Sequence, residues 1–377
     1  MDRSVFANIS KWMFEDALPL WSSVGIDPKG SYMEFLDREG GQPEISYRRV
    51  RVICRQIYVF SHAYQLGYEP GLELAKRGYD YLIAHAWLGE DGGWARRLSA
   101  DGAVLDATPD LYDQAFVLFA LGWYHRASGD AEAHAWARRT LAYIEAHMRH
   151  PLGGFLHEKP AVGPRQQNPH MHLLEACLAN YEGVQDADML RVAREIVGLF
   201  RDKFFDIESG TLAEFFEEDL SRTAGDKGRW IEPGHQFEWA WILVNHRRLT
   251  GDDTADLARA AVAFGEKYGV DPVSHATYNG VRDDGAPLDR ASRTWPNTER
   301  MKAAVAMYEL DGVDPVPVLA QSGNLLLNRY LAVEPRGAWI DVFDENGQPR
   351  LDNIPTSTLY HVFLAFAEAL RIAPKLV

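Results

Sequence analysis

The stretch Gly92–Leu105, GGWARRLSADGAVL, followed by Asp110–Ala127, DLYDQAFVLFALGWYHRA, decides how the chain is read. Its first half mixes apolar and polar residues around Asp101-Gly102, the dipeptide of a tight β-hairpin turn. Its second half changes to helical period. A further helical stretch, Ala131–Met148, follows the polar, Gly-containing link Ser128–Asp130. Hairpin, helix, turn, helix is the unit to seek elsewhere.

The unit recurs. Further glycine-led segments begin at Gly30, Gly153, Gly210, Gly280 and Gly337, about 60 residues apart, and several carry an Asp-Gly or Asn-Gly turn. Helical stretches lie between them. Val50–Leu66 is followed by Gly71–His85, Met171–Tyr181 by Met189–Phe204, and His235–Leu249 by Thr254–Tyr268. Asn297–Leu310 is followed by Val316–Leu331, and Thr358–Leu370 ends the series. The N-terminal Ile9–Ser22 supplies the partner that this last helix lacks. Twelve helices in six pairs can stack as an open solenoid or close into a ring, and a first helix completing the last pair favours closure. The predicted fold is all-α: an (α/α)6 barrel of six helical hairpins with short β-hairpins at one end, a single domain over residues 1–377. The inner helices should be those that follow each hairpin.

Composition narrows the function. A formal net charge of −15 argues against nucleic acid or an anionic membrane as partner. No apolar run reaches the roughly 18–20 residues of a membrane span. Cys54 and Cys177 stand apart in apolar contexts, with no CxxC and no signal peptide, and read as reduced core residues of a cytoplasmic protein. P-loop, dinucleotide, Gly-x-Ser-x-Gly and zinc signatures are absent from the sequence.

A closed ring would gather chemistry at the N-terminal ends of the inner helices. The residues there are Arg55; Tyr112, Asp113 and Gln114; His170, His172 and Glu175; His235 and Glu238; Trp295 and Glu299; and Tyr360 and His361. All six sectors contribute. His235 follows Glu232-Pro233-Gly234, a helix start with Pro at its first position, and Glu238 lies one turn on, placed to orient the imidazole. His361 follows the capping hydroxyls of Thr356–Thr358 and reads equally as structural or as a second acid/base. His170 and His172 are about 200° apart on a helix, so both cannot face the lumen. His172, at i, i+3 from Glu175, is the luminal choice, with His170 as wall, and a metal reading of the His-x-His pair is set aside for want of a third ligand. Arg55 has no acid one turn away and reads as an oxygen-binding luminal arginine. Arg48, Arg49 and Arg51 read as a solvated face. Trp295 reads as filler or as a platform for a sugar ring, Trp94 and Trp339 as platforms or as packing for the hairpins. Glu299 is a luminal acid or a first-turn residue favoured by the helix dipole. Histidines supported by carboxylates suit proton abstraction beside a carbonyl.

With these residues the sequence resembles the N-acylglucosamine 2-epimerase superfamily, which includes mannose isomerases and cellobiose 2-epimerases. The matching motifs are CRQIYVF (54–60), DLYDQAFVLFAL (110–121), NPHMHLLEA (168–176), EPGHQFEWAWIL (232–243), RTWPNTERMKAA (293–304) and TSTLYHVFLAF (356–366). The resemblance implies an (α/α)6 barrel and proton transfer without metal or cofactor by two histidines, matching His235 and His361. A third, matching His172, would assist ring opening or proton movement between O1 and O2. Arg55, Glu238, Trp295 and Glu299 would hold the sugar or tune the histidines, with Tyr112, Asp113, His170 and Glu175 as further substrate-binding candidates. The expected substrate is a small sugar and the expected reaction D-mannose to D-fructose isomerisation. The alternatives are aldose 2-epimerisation, a glycoside hydrolase using Glu238 and Glu299, and a non-catalytic protein-binding role known within the family. A homodimer is left open as the assembly.

Overall fold

The computed structural model describes residues 3–350 and 352–376; Leu351, at the end of the sixth glycine-led segment, lies outside the described residues, as do residues 1, 2 and 377. Twelve principal helices follow in chain order: α1 (Ser4–Lys11), α2 (Val50–Gln65), α3 (Gly71–Ala86), α4 (Leu111–Ser128), α5 (Ala131–His147) and α6 (Asn168–Val184). They continue as α7 (Ala187–Leu199), α8 (Pro233–Thr250), α9 (Ala255–Tyr268), α10 (Thr294–Asp311), α11 (Val316–Leu325) and α12 (Leu359–Ile372). Wider π-helical turns extend α1, α7 and α11, and a short helical turn, Leu18–Trp21, carries α1 on to Trp21.

Sequence pattern sorts these helices into two layers. In α12 every residue from Leu359 to Ala369 is buried, as expected of a helix that is apolar all round. In α7 only Met189, Val192, Ala193, Ile196 and Val197 are buried, one stripe at helical spacing. The even-numbered helices form the inner ring, each packed on the next, and α12 returns to α2. Each odd-numbered helix lies outside the even-numbered helix it pairs with, and α1 packs on α12. The chain therefore forms the closed (α/α)6 barrel. Left-handed glycines at 129, 251 and 312 end α4, α8 and α10, where the chain turns from inner to outer layer.

Closure rests on the N-terminal segment. Trp12 meets Phe366 of α12 edge-on, with ring centroids 5.6 Å apart. Trp21 stacks on Trp339 at 4.8 Å and donates its indole N–H to the Gly337 carbonyl. The helix begins at Ser4 rather than at the expected Ile9, because Val5 and Phe6 also bury against the ring.

Short strands form a collar at one end. Arg97–Ser99 pairs with Val104–Asp106 across Gly102, Gly280–Arg282 with Pro287–Asp289 across Gly285, and Val342–Phe343 with Pro349–Arg350 across Gly347. These are the predicted Asp-Gly and Asn-Gly hairpins. The Gly30 and Gly153 segments are not local hairpins. Phe35–Leu36 pairs instead with Ile354–Pro355, and Arg165–Gln166 with Phe215–Phe216. Strands thus lace neighbouring sectors together. Trp94 and Trp339 prove to be packing residues of this collar; the Trp94 indole donates to Thr140 and is fully buried.

Three expectations about charge and thiols can be judged here. Arg48, Arg49 and Arg51 are not a solvated face. Arg48 is ion-paired with Asp27, Arg49 with Glu34, and Arg51 with Asp113 at 2.6 Å. The strand Tyr47–Arg49 runs inside the collar, where a buried guanidinium must find a carboxylate. Cys54 and Cys177 are free and buried. No described helix is long and apolar enough to cross a membrane.

Replacing Trp12 by Ala removes the edge-on contact that closes the ring and should cost about 3–5 kcal/mol of stability. Urea unfolding monitored by circular dichroism measures it. A loss below about 1 kcal/mol would show that closure does not depend on this side chain.

Candidate active site

Below the collar lies a cavity of about 310 Å³. Its walls come from the N-terminal ends of the inner helices and the loops before them, with Arg55, Tyr112, His172, His235, Glu238, Trp295 and His361 among the lining side chains. Seven of the thirteen residues singled out in the sequence converge here. Asn168, Glu232, Arg293, Asp341, Ser357 and Thr358 complete it.

The two histidines are held from behind. His235 Nδ1 lies 2.9 Å from Glu214 Oε2, and Glu232 stands 3.6 Å away. Gln167 also donates to Glu214, fixing that carboxylate in place. His361 Nδ1 lies 2.9 Å from Glu299 Oε1. A carboxylate accepts, so Nδ1 carries the proton in both rings and each Nε2 is left for the cavity. Between the rings stands Trp295, its centroid 5.1 Å from His235 and 5.6 Å from His361. It reaches that place because residue 234 is glycine. A Cβ there would lie 2.5 Å from the indole.

Their environments drive the two histidines apart. Burial alone would lower His235, but Glu214 and Glu232 outweigh it and raise its pKa to about 10. Burial, with Arg55, Lys302, His172 and His235 all adding cationic repulsion, pushes His361 well below the usual histidine value. One imidazole is a cation and the other a neutral base. Such a split is how an acid and a base are assigned within one site.

The remaining candidates fall into two groups. Arg55 donates to the Tyr112 hydroxyl at 2.7 Å and to the Ser357 carbonyl, and its guanidinium lies 4.4 Å from the Phe116 ring centroid. No carboxylate neutralises it, so it can bind an anionic oxygen. His172 Nδ1 is 3.2 Å from Glu175, which also accepts the Tyr360 hydroxyl. Others stand behind the wall. Glu175 opens instead on a cavity at the far end of the barrel. Asp113 is sequestered by Arg51, and Glu299 backs His361. His170 accepts from the Phe155 amide and bonds the Gln166 carbonyl; burial drives its pKa down to about 3. It pins the third loop and does not reach the cavity. Glu238 makes no hydrogen bond to His235, contrary to expectation, because Glu214 from the preceding loop takes Nδ1 and Glu238 turns towards Lys302 of α10, at 3.8 Å.

Sequence reasoning missed Glu214 and Lys302. Glu214 is a buried acid in the apolar run GTLAEFF, and Lys302 a fully buried lysine on an inner helix, so each broke the local pattern. Three clusters bring carboxylate and imidazole atoms within 4.8 Å of one another: His172–Glu175–Glu238, Glu214–Glu232–His235 and Glu238–Glu299–His361. In each, the imidazole Nδ1 is engaged by a carboxylate, and beside the last the Lys302 ammonium already supplies a cation, 2.6 Å from Glu299.

The family model described as N-acylglucosamine 2-epimerase (GlcNAc 2-epimerase) matches residues 30–365. The chain is 37% identical over 370 residues to a Rhizobium meliloti (strain 1021) protein named mannose-6-phosphate isomerase, covering 96% of this chain and 95% of that one. It is 30% identical over 272 residues to a Bacteroides fragilis protein named cellobiose 2-epimerase, covering 67% of this chain and 68% of that one. Among solved structures, cellobiose 2-epimerase from Bacillus thermoamylovorans B4167 superposes with a TM-score of 0.89 at 20% identity, over 98% of this chain and 100% of that one.

The split between the histidines is directly measurable. In ¹⁵N NMR of histidine-labelled protein, His235 should remain an imidazolium at neutral pH and titrate near pH 10, while His361 stays neutral at all pH values above 6.5. Equal titration of the two rings near pH 6.5 would contradict the assignment.

Proposed function

Since the chain belongs to the N-acylglucosamine 2-epimerase family, and is therefore an enzyme that isomerises or epimerises carbohydrates, we propose that it converts D-mannose to D-fructose. His361 Nε2 takes the C2 proton of the open-chain aldose. The enediolate that forms is stabilised by Arg55 and by the His235 imidazolium, donors aimed at the developing oxygen charge. His172 moves the hydroxyl proton from O2 to O1, and His361 returns its proton to C1. Atoms balance, and every side chain ends in its starting state.

The observation that supports this reading is the unequal setting of the two histidines: His235 has two carboxylates beside it, whereas His361 has one that is shared with Lys302. Epimerisation would deliver a proton from His235 to the far face of C2. That leaves His361 protonated and His235 neutral, each against its surroundings. Every pH unit separating the two groups makes that state about 1.4 kcal/mol less favourable. Isomerisation through His361 alone avoids it.

The charges around the cavity also speak to the substrate. Glu232 and Asp341, both with pKa values raised chiefly by burial, share Arg293 at the wall. At that wall a phosphate dianion would meet two carboxylates against one shared guanidinium, the charges of Arg55 and His235 being committed to the enediolate oxygens. The reading is therefore of an unphosphorylated sugar, although one relative is named for mannose 6-phosphate.

Proton NMR in deuterium oxide tests both points. Mannose should give fructose faster than C2-deuterated glucose, and mannose 6-phosphate should react more slowly than mannose. His361→Ala and His235→Ala should each lower kcat/KM by about 10²–10⁴-fold. Faster formation of glucose than of fructose would establish epimerisation instead. Unreduced activity in His361→Ala would remove the mechanism.

The pH profile gives an independent check. Activity needs His361 neutral and His235 protonated, so kcat/KM should fall in acid only well below pH 6.5 and in alkali near pH 10. A narrow bell centred near pH 6.5 would contradict it.

A further inference from the structure

Lys302 sits on α10 with no solvent exposure, one helical turn from Glu299. Its ammonium is 2.6 Å from Glu299 Oε2, and the other oxygen of that carboxylate accepts from His361 Nδ1. Glu238 of α8 faces it at 3.8 Å, and the Trp241 ring of the same helix at 4.3 Å. Glu175 of α6 adds a third carboxylate, while His361 of α12, Arg55 of α2 and His172 of α6 complete the titratable and charged surroundings. We propose that Lys302 is a positioning residue for the base: its ammonium counters the repulsion of two other buried carboxylates and favours the ionised form of Glu299, and Glu299 in turn fixes the Nδ1–H tautomer that points the His361 Nε2 lone pair at the substrate.

The argument is one of charge. Three carboxylates stripped of water repel one another, and the usual outcome is that one takes up a proton. Burial above all, and then the nearness of Glu238, raise the Glu299 pKa well above the ordinary carboxylate value, and Lys302 is the group that opposes them. Were Glu299 protonated, it would no longer hold the Nδ1–H of His361 as a carboxylate does. Lys302 does not line the cavity, so beyond its direct repulsion of a charged His361 it acts on the base through Glu299.

The proposal rests on His361 as the base, and its test separates the two. Lys302→Met keeps the aliphatic length without the charge. The cluster then gains a proton more readily, so the acid limb of kcat/KM should move up by about 1–3 pH units. Adding Glu238→Gln removes one repelling carboxylate and should move the limb back down, whatever the height of the plateau. Lys302→Arg, where folded by circular dichroism, should leave the limb in place. A folded Lys302→Met protein with the acid limb unmoved would overturn the proposal. Should Lys302→Met not fold, ¹⁵N NMR of the wild-type protein decides. His361 found in the Nε2–H tautomer, or charged at neutral pH, overturns the role of Lys302 even where mannose is turned over. The Nδ1–H tautomer supports it even where no sugar reacts.

Discussion

A charge on the inner wall of the barrel is cut off from bulk water on every side but the cavity, and the site depends on that constraint. Each luminal ionisable group must be met by another, and the meeting sets its protonation state. His235 has two carboxylates behind it and becomes a cation. His361 has one, shared with an ammonium, and stays neutral. The same imidazole chemistry therefore yields an acid on one wall and a base on another. The inner ring makes this possible because its side chains are packed too closely to admit a hydration shell. The collar matters for a related reason. It carries Glu214 to the back of His235, a position that α8 itself cannot supply.

Much of the fold was legible because its signal repeats. Helical period, Asp-Gly turns and the repeated unit agreed, and a last helix without a partner implied the packing of the N-terminal helix α1 on α12. The collar was less legible. Strands of two or three residues carry too little alternation to name a partner, so Phe35–Leu36 and Arg165–Gln166 pair across sectors in ways no local pattern announces. The same limit hid Glu214, which reaches His235 from 21 residues away in sequence.

Within the site, spacing gave the contact of His172 with Glu175 but not the partner of His235. Glu238 stands one turn from His235, yet a stronger partner from another element takes the ring nitrogen. Arg48, Arg49 and Arg51 looked solvated because charge clusters usually are; here their strand is enclosed by the collar. In each case, tertiary contact overrode a local rule.

The carboxylates also bear on the competing hydrolase reading. Glycoside hydrolysis needs one carboxyl group to protonate the leaving oxygen and another to attack or to activate water. Glu299 has one oxygen on His361 and the other beside Lys302, and it does not line the cavity. Glu238 does line it, as do Glu232 and Asp341, but Glu232 stands 3.6 Å from His235 and Asp341 accepts from the Thr358 hydroxyl. What remains facing the sugar is two imidazole nitrogens and an unneutralised guanidinium, a set suited to moving protons and holding an enediolate. Two histidines by themselves are compatible with a proton returned to either face. In the proposed reaction the bias between them comes from burial, from Glu214 and Glu232 beside His235, and from Arg55 and Lys302 about His361.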